Sequence, residues 1–162
     1  MPARTQIRRD AEGEGGHTGL MRAALNGRTE TVQALLKAGA NVNAVDAEGR
    51  TALMFAAVNM HCGCANILLD HGADVNARAR DGGTALMLAA SSGEIALVRA
   101  LLARGADISG KFKQTGKTAA MLAREKNFTE IAELLESAPD RGNEKRTDLK
   151  PANFTSINEA KP

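Results

Sequence analysis

His61-Cys62-Gly63-Cys64 is the densest cluster of soft ligands in the chain. Thiolates and imidazoles suit zinc, and a structural zinc site takes four of them in a tetrahedron. Three donors fall within these four residues, and the only other histidines are His17 and His71. A second candidate is GKFKQTGKT, from Gly110 to Thr118. A phosphate-binding loop sets four residues between its first glycine and its Gly-Lys pair, so that backbone amides can wrap the phosphates. Five residues separate Gly110 from Gly116, and no buried strand pattern precedes them. A nucleophilic triad needs Ser, Cys or Thr beside a base and an orienting group. No signature marks one. The expectation is no catalytic residue, no metal set and no cofactor.

These residues take their places from an internal period. GHTGLMRAALNG, GRTALMFAAVNM, GGTALMLAASSG and GKTAAMLAREKN align on Thr18, Thr51, Thr84 and Thr118, spaced by 33, 33 and 34 residues. Leu35, Leu68, Leu101 and Leu135 each follow their threonine by 17, and Gly39, Gly72 and Gly105 by 21. Each threonine can cap a first helix by accepting from an orphan N–H. Alanines one turn later, at Ala23, Ala56, Ala89 and Ala123, let helices approach closely. A second helix runs through the leucine pairs and ends at glycine, which tolerates a left-handed cap. Asn41–Gly49 and Asp74–Gly82 are polar turn-rich segments. In this register Cys64 aligns with Leu97 and Ile131, so it reads as a small buried apolar residue. Cys62 aligns with Thr29, Ile95 and Thr129, a partly exposed position. Gly116-Lys117-Thr118 aligns with Gly49-Arg50-Thr51, which is a repeat position and not a nucleotide loop.

G-x-T-x-L-x-x-A-A followed by L-L-x-x-G-A-[DN]-V-N-A resembles the ankyrin repeat, over roughly Gly16 to Glu136. The family's Thr-Pro-Leu-His reads TGLM, TALM, TALM and TAAM here. Met21, Met54, Met87 and Met121 stand for its histidine. The resemblance implies an all-α repeat solenoid of four helix-turn-helix repeats with projecting loops or β-hairpins. It also implies looser loops, because the lost histidine ties neighbouring loops together in the family. The methionines read as interior packing near the loop bases, or else as a soft contact stripe. The expected domain is 16–137, with repeats at about 16–45, 46–78, 79–111 and 112–137. Flanks 1–15 and 138–162 are polar and expected to be disordered or weakly docked. Terminal repeats lack a neighbour, so one face of each must be polar. Arg22 and Thr31 in the first repeat, and Arg124 and Glu136 in the last, replace apolar residues of the inner copies.

Composition agrees with thin helical layers. Apolar residues make up 43% of the 162, aromatics only 2%, with no Trp and no Tyr. The net charge of +2 is too small to imply nucleic acid, and base stacking on Tyr or Trp is not available. No apolar run of about 18 residues or secretory leader is present, so the expectation is a cytoplasmic protein with no membrane contact.

Positions that vary between copies are free to serve a partner. On the loops these are Val45, Arg50, Arg78, Arg80, Lys111, Phe112, Lys113 and Lys117. On the first helices they include Phe55, Val58 and Ser91. The resemblance implies a scaffold that binds another protein through the concave face and loop tips. The basic loops point either to a solvated edge that keeps the stack soluble or to an acidic segment on that protein, with Phe112 as an apolar anchor. Val45, Phe55 and Val58 read as an apolar patch, or Phe55 as a packed helix residue like Leu88. The other reading is a nucleic-acid or anionic-lipid headgroup binder on the same basic edge. Neither reading calls for an enzyme or a small-molecule substrate, and the polar caps point to a monomer.

Overall fold

The computed structural model describes residues 16–139. Most of both polar flanks lies outside the described residues, as do Phe154 and Ile157, the two apolar tail residues that the sequence offers for docking on the last repeat or elsewhere. Within them the chain forms eight helices and no strand. They are α1 Gly19–Leu25, α2 Thr29–Lys37, α3 Ala52–Val58, α4 Cys62–Asp70, α5 Ala85–Ser92, α6 Ile95–Ala103, α7 Ala119–Glu125 and α8 Thr129–Ser137. Each repeat contributes a first helix and an antiparallel second one. First helices stack on first helices and second on second. The first-helix layer is in more extensive contact than the second, because Ala23, Ala24, Ala56, Ala57, Ala89 and Ala90 are buried in it.

Every first helix opens as its threonine dictates. Thr18, Thr51, Thr84 and Thr118 arrive in extended backbone, and their hydroxyls accept from the amides of Met21, Met54, Met87 and Met121 at 3.3 to 3.4 Å. In α1 the Met21 sulfur accepts the Thr18 amide in return, at 3.4 Å. Met21, Met54 and Met87 are each 1% exposed. They are packing residues. Met121 is 52% exposed, because no further repeat among the described residues covers it.

The turn between helices is left-handed in all four repeats, at Gly27, Met60, Gly93 and Asn127. Glycine has a second reason to stand at two of them. A Cβ on Gly27 would lie 2.7 Å from the His61 ring, and one on Gly93 would lie 2.6 Å from the Phe128 ring. The ring of the following repeat thus sits on the glycine of the preceding one. His61 Nε2 also bonds the Leu25 carbonyl at 3.1 Å.

The polar caps stand where the repeat register put them. Arg22 and Thr31 are exposed at one end of the stack. At the other end Arg124 and Glu136 meet in a two-pronged ion pair, both bonds 2.7 Å. The bond from Arg124 holds the Glu136 carboxyl below its ordinary range. Both groups are solvated, so the pair orients the last two helices more than it stabilises them.

The loops close as hairpin-like turns. Asp46 N bonds Arg50 O, Ala79 N bonds Gly83 O, and Phe112 N bonds Lys117 O across the longer last loop. They are also tied to one another. Arg80 N bonds Glu48 O at 2.9 Å, and Lys113 N bonds Asp81 O at 2.8 Å. Beneath them runs an asparagine ladder. Asn43 Oδ1 accepts from the Asp74 amide at 2.8 Å, and its amide donates to Gly72 O at 3.3 Å. Asn76 repeats this with Asp107 and Gly105, at 2.7 and 3.2 Å. These bonds join the loops of successive repeats. Asn76→Ala should therefore cost about 1–2 kcal/mol, the value of two hydrogen bonds at a solvent-accessible site. Amide exchange at Asp107 should accelerate in the variant. An unchanged rate there would mean that the ladder carries no load.

Candidate protein-binding face

The loops and the first helices share one face of the stack, and it divides into two unlike halves. At the first-repeat end, Asp46 is fully buried by its side chain, although it carries a charge. It accepts from the Glu48 amide at 2.9 Å, the Arg50 amide at 2.8 Å and Arg50 Nε at 2.9 Å. His17 Nε2 lies 3.2 Å from Oδ2, the oxygen that also accepts from Arg50 Nε. Burial pushes the Asp46 carboxyl up. The hydrogen bonds and the charge of Arg50 outweigh that and hold it below its ordinary value. Phe55 lies under this group. The Arg50 guanidinium sits 4.9 Å from its ring centre, and His17 meets the ring edge-on at 5.0 Å.

Phe55 is therefore 6% exposed: of its two readings the packed helix residue holds, and its place in an open apolar patch with Val45 and Val58 is corrected. Its ring is covered because His17 and Arg50, which stand just before the threonines of successive repeats, both close over it. Val45 and Val58 are exposed, as is Leu25, at the Val58 position of the first repeat. Ser91 is half-buried beside Ser92, whose hydroxyl bonds the Val58 carbonyl at 3.2 Å.

The cations separate into two groups. Arg50 is held by Asp46, Arg78 by Asp107 at 2.9 Å, and Lys117 by Glu125 at 2.6 Å. Burial raises the Asp107 carboxyl, but bonds from Ser109 and the charge of Arg78 bring it below its ordinary value. These three cations serve the stack. Arg80, Lys111 and Lys113 are exposed, and no carboxylate among the described residues is paired with them.

Phe112 rests against Gly83, where an added Cβ would meet its ring at 2.9 Å. Its ring is half-buried and borders a groove of about 250 Å³ with Asp81, Gln114, Thr115, Lys117 and Leu122. The groove has no counterpart in the sequence reading. At Gly83, where His17 and Arg50 stand in earlier repeats, the Phe112 ring takes the place of a side chain, and Lys117, in Arg50's place beside Leu122, is paired with Glu125.

The cysteines are placed as their register requires. Cys64 is buried and Cys62 half-buried. Burial first, and then the charge of Glu94 and a hydrogen bond to it, push the Cys62 thiol up. Burial does the same to Cys64. A reactive cysteine needs a lowered value. Among the described residues no three His, Cys, Asp or Glu side chains converge as metal ligands. No helix among them is long and apolar enough to cross a membrane.

Comparison with curated proteins gives no match. The family model for ankyrin repeats (3 copies) matches residues 4–79 and 76–146. Together with the threonine-capped helix pairs and their stacked loops, that match establishes that the chain belongs to the ankyrin-repeat family.

Proposed function

We propose that this protein is a non-enzymatic scaffold that binds another protein through its loop tips and first-helix face, and that the partner presents an acidic segment. Ankyrin repeats are in general protein-interaction modules. The observation that carries the acidic reading is the trio Arg80, Lys111 and Lys113, which the fold exposes without a carboxylate partner while it neutralises Arg50, Arg78 and Lys117. Unpaired cations around a binding surface steer an oppositely charged partner and raise its association rate. No specific observation favours nucleic acid or anionic lipid. The half-buried Phe112 and exposed Val45 and Val58 suit a protein surface better than a phosphate backbone.

Pull-down from source-cell lysate tests this with wild type beside Arg80→Ser/Lys111→Ser/Lys113→Ser. A specific acidic protein should be retained by wild type, lost by the triple variant, and weakened as ionic strength rises past about 0.1 M. Equal retention by both proteins makes the basic edge a solvated surface. Attention then moves to Leu25, Val45 and Val58. Retention of nucleic acid, removed by nuclease, supports the other reading.

A further inference from the structure

We infer that the groove beside Phe112 is an anchor subsite that takes one large apolar side chain of the partner, with carboxylates on either side of it held by Lys111 and Lys113. The inference rests on the reading of this face as a protein-binding surface and adds where its specificity lies. The volume, about 250 Å³, has room for one Leu, Ile, Met or Phe side chain and not for a second element of structure. Phe112 and Leu122 supply apolar walls, and Gln114 and Thr115 form a polar lip.

The charged residues lining the groove are Asp81 and Lys117, and cations outnumber carboxylates on the loops beside it. Lys111 and Lys113 flank Phe112 in sequence, and Arg80 lies on the adjoining loop. Lys117 is already bound by Glu125. The Asp81 carboxylate accepts the Gly83 amide at 2.8 Å. Four cations, Arg80, Lys111, Lys113 and Lys117, thus stand on these loops against three carboxylates, Glu48, Asp81 and Glu125, the last two of them engaged. An apolar side chain without acidic neighbours would fill the groove and leave this charge unanswered. An acidic segment without an apolar side chain would leave the groove empty. The chemistry that answers both is an apolar residue within a short acidic stretch.

The site is also built to keep its shape. Lys113 is tied through its amide to the Asp81 carbonyl, and the Lys113 side chain lies over Gly82, where a Cβ would meet it at 3.3 Å. Phe112 is fixed against Gly83. A preformed pocket with rigid walls gains affinity because little must be ordered on binding.

The experiment is selection from a displayed library of random short peptides on the full chain, followed by polarisation titration of the enriched peptides. Enriched peptides should share one Leu, Ile, Met or Phe with Asp or Glu nearby. Leu122→Phe, with phenylalanine as at the equivalent Phe55, and Thr115→Trp at the exposed lip should each narrow the groove. Each should weaken binding about tenfold or more, as loss of an anchor does. Replacing the peptide's apolar residue by alanine should then cost little further in either variant. Lys111→Ser/Lys113→Ser should weaken binding at low salt and matter less at high salt. Acidic peptides with no apolar preference, indifferent to Leu122→Phe and Thr115→Trp, would overturn the subsite and leave the acidic scaffold standing. Peptides lost instead on Val58→Asp would overturn it in favour of the other half of the face. A library that yields no binder would overturn both the subsite and the scaffold reading.

Discussion

Leu101→Ala is expected to destabilise the protein by about 2–5 kcal/mol, the range for truncating a large apolar side chain in a packed core. Leu101 lies in α6, is 0% exposed, and belongs to an inner repeat with a neighbour on each side. The cavity cannot collapse easily, because Leu97, Val98 and Ala106 around it are themselves buried in helix and turn positions. Domains of this size have only about 5–15 kcal/mol in total. The loss should also be felt unevenly. In a repeat stack each unit depends on its nearest neighbours. Weakening the third repeat should uncouple the last repeat from the first two and broaden the urea transition. Denaturation followed by helical circular dichroism measures both effects. A shift under 1 kcal/mol with an unchanged slope would mean that the stack closes over the cavity.

Asp46→Ala should cost about 2–4 kcal/mol. Removing one member of a buried ion pair strands the rest, and hydrogen bonds to a charged group are worth more than neutral ones. Without the carboxylate, the amides of Glu48 and Arg50 lose their acceptor, and Arg50 and His17 lose the group that holds them over Phe55. The half-exposed Arg50 can turn to solvent, which keeps the estimate below the top of the range for buried pairs. The pH dependence has a definite sign. The folded carboxyl titrates below its ordinary value of about 3.9. Its contribution is then complete above that value and is lost as pH falls through the lower folded value. Asp107 behaves alike. The stability gap between wild type and Asp46→Ala should be constant from pH 7 to about pH 5 and shrink below about pH 4. A gap unchanged at pH 3 would place the stabilisation in the shape of the loop rather than in the charge.

The fold was legible because its information is one-dimensional. A threonine, a leucine pair and a glycine at fixed offsets state a helix pair, and four copies in register state a stack. The same register correctly assigned Cys64, Met21, Met54 and Met87 to the interior, and the polar residues it set apart, Arg22, Thr31, Arg124 and Glu136, are exposed. The asparagine ladder was within reach too, since Asn43 and Asn76 hold one position in successive copies. Asp46 was not. It occurs in one copy only, and an aspartate in a turn gives no sign that a histidine from the preceding repeat will close over it.

The sequence by itself determined the number of units, their capping, the composition of the core and the excess of cations on the loops. Only the tertiary structure decided which cations are spoken for. Arg78 finds its carboxylate 29 residues away, His17 meets Asp46 across the same separation, and Lys117 reaches Glu125 over the length of a helix. Periodicity fixes where a backbone position lies, but pairing depends on which side chains from neighbouring loops come within a few ångströms of each other. For the same reason the Phe55 ring is covered and the Phe112 groove is open, though both follow from one rule of repetition. The Phe112 ring lies where a side chain on Gly83 would stand, and the groove beside it exists only once two repeats are stacked.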